Sequence, residues 1–130
     1  MFASLQNPLS LTGRALLALL FIPAGFSKIG GFAGAVGYAV AKGVPLPEVA
    51  IAAAIAVELG LGLLLLVGFQ ARWAALGMAF FTVVISFIFH PPGDPSQAQA
   101  FFKNIAVVGG LLTVAAWGAG AWSLDAKRGI

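Results

Sequence analysis

One carboxylate, Glu58, stands alone inside a long apolar run. The run extends from Val49 to Val67. A helix of that length rises about 28 Å, close to the hydrocarbon thickness of a bilayer. Glu58 is therefore expected near the middle of a membrane, where a charge costs at least about 2.5 kcal/mol. Such a residue is a candidate for ligand binding or proton exchange. The alternative is a purely structural carboxyl group that hydrogen-bonds to a neighbouring helix.

Small residues are expected on the same face of this helix as Glu58. Helical spacing places seven side chains on that face: Ile51, Ala54, Ile55, Glu58, Leu61, Gly62 and Leu65. Small residues allow two helices to approach closely. The carboxylate is therefore expected at a tight helix–helix contact.

Four other polar side chains are expected at a common depth above Glu58, and they are Lys28, His90, Lys103 and Asn104. Together they would line a polar pocket that opens toward the outer side of the membrane. Their hydrogen-bond donors suit an anion or a ring with carbonyl oxygens, such as a quinone. Glu58 and His90 are the candidate catalytic residues, because both can exchange the protons that quinone reduction requires.

Arg14 is expected to approach Glu58 from the opposite side, with an axial separation of about 10 Å. It joins Lys28, Lys103 and Asn104 as a candidate binding residue. The sequence leaves open whether Glu58 pairs with Arg14 or with Lys28. It also leaves open a simpler interpretation, in which Lys28 and Lys103 extend to the headgroups and His90 caps a loop.

The composition predicts an integral membrane protein. Of 130 residues, 61% are hydrophobic and 8% are charged, whereas a soluble domain is about 25% charged. The apolar runs predict an all-α four-helix bundle that forms a single domain, residues 1–130. Its spans are expected at about 11–29, 49–67, 73–89 and 97–117. Residues 32–42 are too short to cross, so a short interfacial helix is expected there.

Local motifs predict where the helices begin and end. Asn7-Pro8 is typical of a helix start, so the residues before it are expected to be interfacial. Gly68 is expected to end the second span. Asp94, Pro95 and Gln97 have the spacing of a capping box, which predicts that the fourth helix begins near Pro95.

Several kinds of site are excluded or disfavoured. The chain has no cysteine and one histidine, so no metal site, haem or iron–sulfur cluster is expected. The net charge of +3 comes from scattered residues, which does not favour nucleic-acid binding.

The charge balance predicts an orientation. Four spans would place both chain ends on one side of the membrane. That side carries four basic residues, Arg14, Arg72, Lys127 and Arg128, against three on the other, Lys28, Lys42 and Lys103. The positive-inside rule therefore predicts both termini in the cytoplasm.

Almost the whole chain resembles the DoxX family of small four-span membrane proteins. The resemblance lies in the order and spacing of short motifs: Arg14-Ala15-Leu16, Gly25-Phe26-Ser27-Lys28, Gly43-Val44-Pro45-Leu46-Pro47, Glu58 with Gly60 and Gly62, Gly68, Arg72, His90, Phe102-Lys103-Asn104-Ile105-Ala106 and Gly109-Gly110-Leu111-Leu112.

The resemblance implies a multi-pass protein of the bacterial inner membrane. Some family members are subunits of a thiosulfate:quinone oxidoreductase or a terminal quinol oxidase, and others belong to oxidative-stress complexes or confer catechol and quinone resistance. A quinone-linked redox subunit is therefore the leading hypothesis, with a redox partner subunit and a homo-oligomer as possible assemblies. The alternatives are a non-enzymatic scaffold or assembly partner, and a transporter of a small anion or a lipid.

Overall fold

The regular elements of the computed structural model, which describes residues 2–128, are all helices. They are α1 (Phe2–Gly30), α2 (Phe32–Ala41), α3 (Pro47–Val67), α4 (Ala71–Phe89), α5 (Ala98–Trp117) and α6 (Leu124–Arg128). The helices α1, α3, α4 and α5 are long and apolar enough to cross a membrane. This confirms the all-α fold with four spans and a short apolar helix between the first two.

The four long helices pack in an open arrangement. Helix α1 packs chiefly on α3, α5 packs chiefly on α4, and α3 and α4 contact each other between them. The core lies where the four helices converge and is built on Phe21, Leu65, Met78 and Leu111. Helix α1 makes few contacts with α5, so the bundle has a gap on that side.

Two glycines set the close approach of α1 and α3. A Cβ atom on Gly25 would lie 2.7 Å from the Cγ atom of Leu59, and one on Gly62 would lie 2.9 Å from the Cγ1 atom of Ile22. Both distances are shorter than real Cβ contacts, so a larger residue at either position would force Leu59 or Ile22 to move. The prediction that Glu58 lies on a face of small residues in close helix contact is confirmed.

Helix α1 begins earlier than Asn7-Pro8 predicts. It starts at Phe2 and includes both Pro8 and Pro23. Ala3, Leu5 and Gln6 favour helix, and the helix continues through Pro8 in its second turn, where a proline removes one backbone donor. At 29 residues, α1 is about 43 Å long, against about 30 Å of hydrocarbon. Its ends therefore extend into the headgroup regions.

The predicted capping box is wrong. Helix α5 begins at Ala98, and residues 94–97 form a turn before it. Asp94 Oδ1 accepts hydrogen bonds from the backbone N–H and the hydroxyl of Ser96, at 2.9 and 2.7 Å. These bonds lower the pKa of the Asp94 carboxyl from its usual value, the hydroxyl contributing most. The side chain of Gln97 is not free to complete a box, because it bonds to His90 at 2.7 Å.

Candidate functional site

Glu58 pairs with Lys28 inside the membrane-spanning region. The Lys28 Nζ atom lies 2.8 Å from Glu58 Oε1, and the two side chains are 30% and 4% exposed. Although Oε1 contacts the ammonium group, it accepts no well-aligned hydrogen bond from any of residues 2–128. The pair is therefore a buried acid with a half-buried cation beside it. One carboxylate oxygen still has hydrogen-bonding capacity.

The two side chains meet because their helices run in opposite directions. Helical side chains lean toward the N-terminus of their own helix. Gly25 lies at the same depth as Glu58 and Leu59. Lys28 lies one helical turn closer to the end of the bundle that carries α2, and its side chain points back toward Glu58. Glu58 is on the antiparallel helix α3 and leans up. The open choice between Arg14 and Lys28 is thus decided for Lys28.

His90 and Asn104 are hydrogen-bonded separately from this pair. His90 ends α4, and its Nδ1 atom contacts Gln97 Oε1 at 2.7 Å. The Asn104 side-chain amide donates to the Ser86 hydroxyl at 3.1 Å, and that hydroxyl donates to the carbonyl of Thr82 at 2.6 Å. These bonds form a short polar connection between α4 and α5.

The helix rise gives the relative depths of these groups. Gly77 of α4 faces Leu61 of α3. If Gly77 and Leu61 are taken to lie at one depth, Ser86 and Asn104 lie about 9 Å closer than Glu58 to the end of the bundle that carries α2. His90 lies about another 6 Å in the same direction. These groups therefore lie above Glu58, as the sequence predicts, but the predicted common depth is wrong, because His90 lies about 6 Å beyond Asn104. Among these groups only Lys28 contacts the Glu58 carboxylate in the described residues 2–128, and Lys103 is exposed on α5.

Arg14 lies at the opposite end of the bundle and is 1% exposed. Its guanidinium donates hydrogen bonds to four backbone carbonyls, which belong to Leu65, Leu66, Ala119 and Trp122, at 2.6 to 3.0 Å. Two of these carbonyls are in the last turn of α3, where the backbone has no helical donors. The Arg14 side chain therefore caps α3 and holds the segment that follows α5 against it.

Asp125 caps the N-terminus of α4, as Arg14 caps the C-terminus of α3. Its carboxylate accepts hydrogen bonds from the backbone N–H groups of Gln70 and Ala71, at 2.6 and 2.9 Å. An anion at a helix N-terminus and a cation at a C-terminus both complement the helix dipole. Sequence reasoning missed Asp125, Ser86 and Gln97. For Asp125 a signal was present, because no Ser, Thr, Asp or Asn precedes Ala71 closely enough to cap α4.

Replacing Gly68 with alanine is expected to destabilise the protein far more than the same change at Gly43. Both glycines have left-handed backbone angles, with φ of +74° and +76°, which cost an alanine about 1 to 2 kcal/mol. A Cβ on Gly68 would also clash with Ser123 Cβ and lie 2.8 Å from Arg14 Nη1, whereas nothing lies within 4 Å of one on Gly43. This clash adds at least about 2 kcal/mol. Denaturant titration of both variants measures the difference, and equal losses would contradict the close packing at Gly68.

Proton exchange and hydrogen bonding are chemistry that the Lys28–Glu58 pair can perform. Among residues 2–128, no group of three or more His, Cys, Asp or Glu side chains is arranged to hold a metal ion. Glu58 can take up or release a proton, and the Lys28 ammonium can donate to an oxygen acceptor.

Comparison with known proteins agrees with this architecture. The DoxX family model matches residues 9–91. The chain is 40% identical over 119 residues to the inner membrane protein YqjF of Escherichia coli (strain K12), covering 88% of each chain. It is 33% identical over 133 residues to the inner membrane protein YphA of the same strain, covering 97% of this chain and 94% of YphA. No solved structure matches the chain. With four apolar spans and relatives of this kind, the chain belongs to the DoxX family and is a multi-pass inner-membrane protein.

Proposed function

We propose that this protein is the quinone-binding membrane subunit of a redox system, and that Lys28 and Glu58 form its headgroup site. The observation that carries the proposal is the buried pair itself, because an ionisable residue in the middle of a span is costly and marks a functional site. Lys28 orients the headgroup, and Glu58 exchanges a proton with it.

The donors and acceptors of the pair match the chemistry of a quinone. The Lys28 ammonium has three N–H donors, and a quinone carbonyl oxygen is an acceptor. Glu58 Oε1 lacks a well-aligned donor among residues 2–128, and the hydroxyl group of a quinol is such a donor. Lys28 is 30% exposed, so a headgroup can reach its ammonium from the lipid. The oxidised headgroup would therefore have a donor in Lys28, and the reduced headgroup would have an acceptor in Glu58.

The remaining candidate residues divide between two roles. His90 and exposed Lys103 would exchange protons and attract anions on the surface side of the pair, whereas Asn104 links α4 and α5 through Ser86. We do not assign Arg14 to the headgroup, because its N–H groups are used by backbone carbonyls. Reduction of a quinone to a quinol takes two electrons and two protons. The electrons would come from a reduced partner protein.

The proposal is tested by mass spectrometry of quinone that copurifies with the protein. Wild type in mild detergent is expected to retain near-stoichiometric quinone, and Glu58→Gln is expected to retain at least about tenfold less, because it loses a charge-assisted interaction. The matched control is Glu48→Gln, which removes an exposed carboxylate from the first turn of the same helix and is expected to retain quinone normally.

Two results would contradict the proposal. One is bulk lipid without quinone in wild type, which would favour the scaffold alternative. The other is equal quinone in the Glu58→Gln and wild-type proteins, which would place any quinone elsewhere. The cytoplasmic location of both termini stays a prediction, tested by reporter fusions at each end.

A further inference from the structure

The gap between α1 and α5 is an open cleft of about 930 Å³. Its walls are mainly apolar and include Leu16, Leu17 and Leu20 of α1 and Val107 and Val114 of α5. None of Lys28, Glu58, His90, Lys103 and Asn104 lines it, so it is separate from the proposed quinone site. A volume of this size is at the upper end of those of small-molecule sites. Because the cleft lies between two spans, its natural occupant is a hydrocarbon chain.

The cleft continues into a second, more polar cavity at the end of the bundle that carries Arg14. The second cavity has a volume of about 600 Å³ and is lined by Arg72, Trp73 and Asp125, among others. The two cavities share Trp117, Gly118, Gly120 and Ala121. A molecule with an apolar tail and a polar head could therefore occupy both.

Arg72 supplies an unpaired cation in the second cavity. Its Nε atom would lie 3.2 Å from a Cβ on Gly118, so the guanidinium lies over that glycine. Within residues 2–128 it makes no hydrogen bond or ion pair. Asp125 lines the same cavity, and both of its oxygens are engaged by backbone N–H groups. A guanidinium with free N–H groups recognises phosphate in a bidentate manner.

Two exposed tryptophans give the depth of this cavity. Trp73 and Trp117 are 73% and 81% exposed, and they flank the cavity at the start of α4 and the end of α5. Exposed tryptophan in a membrane protein is typical of the headgroup level. Lys127 and Arg128 are on the same side and add positive charge.

We propose that the α1–α5 cleft and the Arg72 cavity together bind one anionic phospholipid. An acyl chain lies in the cleft, and the phosphate contacts Arg72 at the headgroup level. Charge complementarity at one end and apolar walls at the other select this occupant. A soluble phosphate would leave the cleft unfilled, and a second copy of the chain would leave Arg72 without an anion.

Native mass spectrometry after incubation with defined lipids tests the headgroup. Wild type is expected to retain one phosphatidylglycerol about tenfold better than phosphatidylcholine, and Arg72→Gln is expected to lose that preference. The control, Lys127→Gln, removes an exposed cation of the same side outside the cavity and is expected to keep it. Equal retention of both lipids by wild type, or an unchanged preference in Arg72→Gln, would overturn the proposal.

Two neighbouring glycines of α5 test the cleft. Gly110 lines it, with a Cβ position 3.5 Å from Leu17, whereas Gly109 has nothing within 4 Å and lies outside it. Gly110→Leu is expected to lower phosphatidylglycerol retention about tenfold, and Gly109→Leu is expected to leave it unchanged. If Gly110→Leu and Gly109→Leu retained equal amounts of phosphatidylglycerol, the proposal would be overturned.

Other occupants give different results in the same measurements. Inorganic phosphate that raises the unfolding temperature of wild type as much as phosphatidylglycerol does would make the ligand a soluble anion. A lipid-free dimer that Gly110→Leu dissociates would make the cleft a self-association surface. A copurified quinone that is lost in Gly110→Leu would assign the cleft to a quinone tail. Each of these results would overturn the phospholipid proposal.

Discussion

Replacement of Arg14 by methionine is expected to destabilise the protein by at least about 3 to 5 kcal/mol, or to prevent folding. Methionine has a similar length but no donors, so four backbone carbonyls lose the hydrogen bonds that the guanidinium supplies. Two of these carbonyls, those of Leu65 and Leu66, cannot find backbone donors. The N–H of Phe69 bonds to Leu64, and that of Gln70 bonds to Asp125. The free energy of unfolding in mixed micelles measures the loss.

Two further substitutions separate the hydrogen bonds from the charge. Arg14→Lys keeps the positive charge, but one ammonium group cannot reach carbonyls of α3 and of the segment after α5 together, so an intermediate stability is expected. Arg72→Met removes an exposed arginine and is expected to change the unfolding free energy by less than about 0.5 kcal/mol in lipid-free detergent. If Arg14→Met were no less stable than Arg72→Met, Arg14 would have no capping role.

Hydrophobic patterning predicts the helices well and their ends less well. The apolar runs place α3, α4 and α5 to within two residues of their observed bounds. The start of α1 fails because the helix continues through Pro8 into residues that favour helix, so Pro8 does not mark a boundary. The capping-box prediction that α5 begins near Pro95 fails because other partners bond to the two side chains that the box needs. Ser96 takes the oxygen of Asp94, and His90 takes the side chain of Gln97.

The side of Glu58 on which each polar group lies is predictable from the sequence, but the exact depths and the pairing of these groups are not. Helical rise correctly places Lys28, His90 and Asn104 on one side of Glu58. Which of them contacts Glu58 depends on the close α1–α3 approach at Gly25, and that contact is a property of the packed helices. Arg14 illustrates the same limit, since its partners are backbone carbonyls, which no side-chain pattern reveals.

The Lys28–Glu58 pair predicts a strong coupling between two substitutions. Lys28→Met leaves a buried carboxylate without its cation, for which we expect a loss of about 3 to 5 kcal/mol. Glu58→Gln leaves Lys28, which is 30% exposed and can extend its ammonium to the headgroups, so a loss of about 1 to 2 kcal/mol is expected. The double variant has no buried charge and is expected to be more stable than Lys28→Met alone. If the stability loss of the double variant equalled the sum of the two single losses, the Lys28–Glu58 contact would contribute nothing to the free energy of unfolding.

The same double variant distinguishes a structural pair from a functional one. If the pair serves packing alone, the double variant should recover whatever Lys28→Met loses, because an uncharged methionine and glutamine of similar volume replace the ions. If the pair is the quinone site, stability should recover while quinone retention stays as low as in Glu58→Gln, because neither the ammonium donor nor the carboxylate acceptor returns. We expect the second outcome, measured as unfolding free energy and bound quinone on the same preparation. Recovery of both quantities together would show that the buried charges are dispensable for binding.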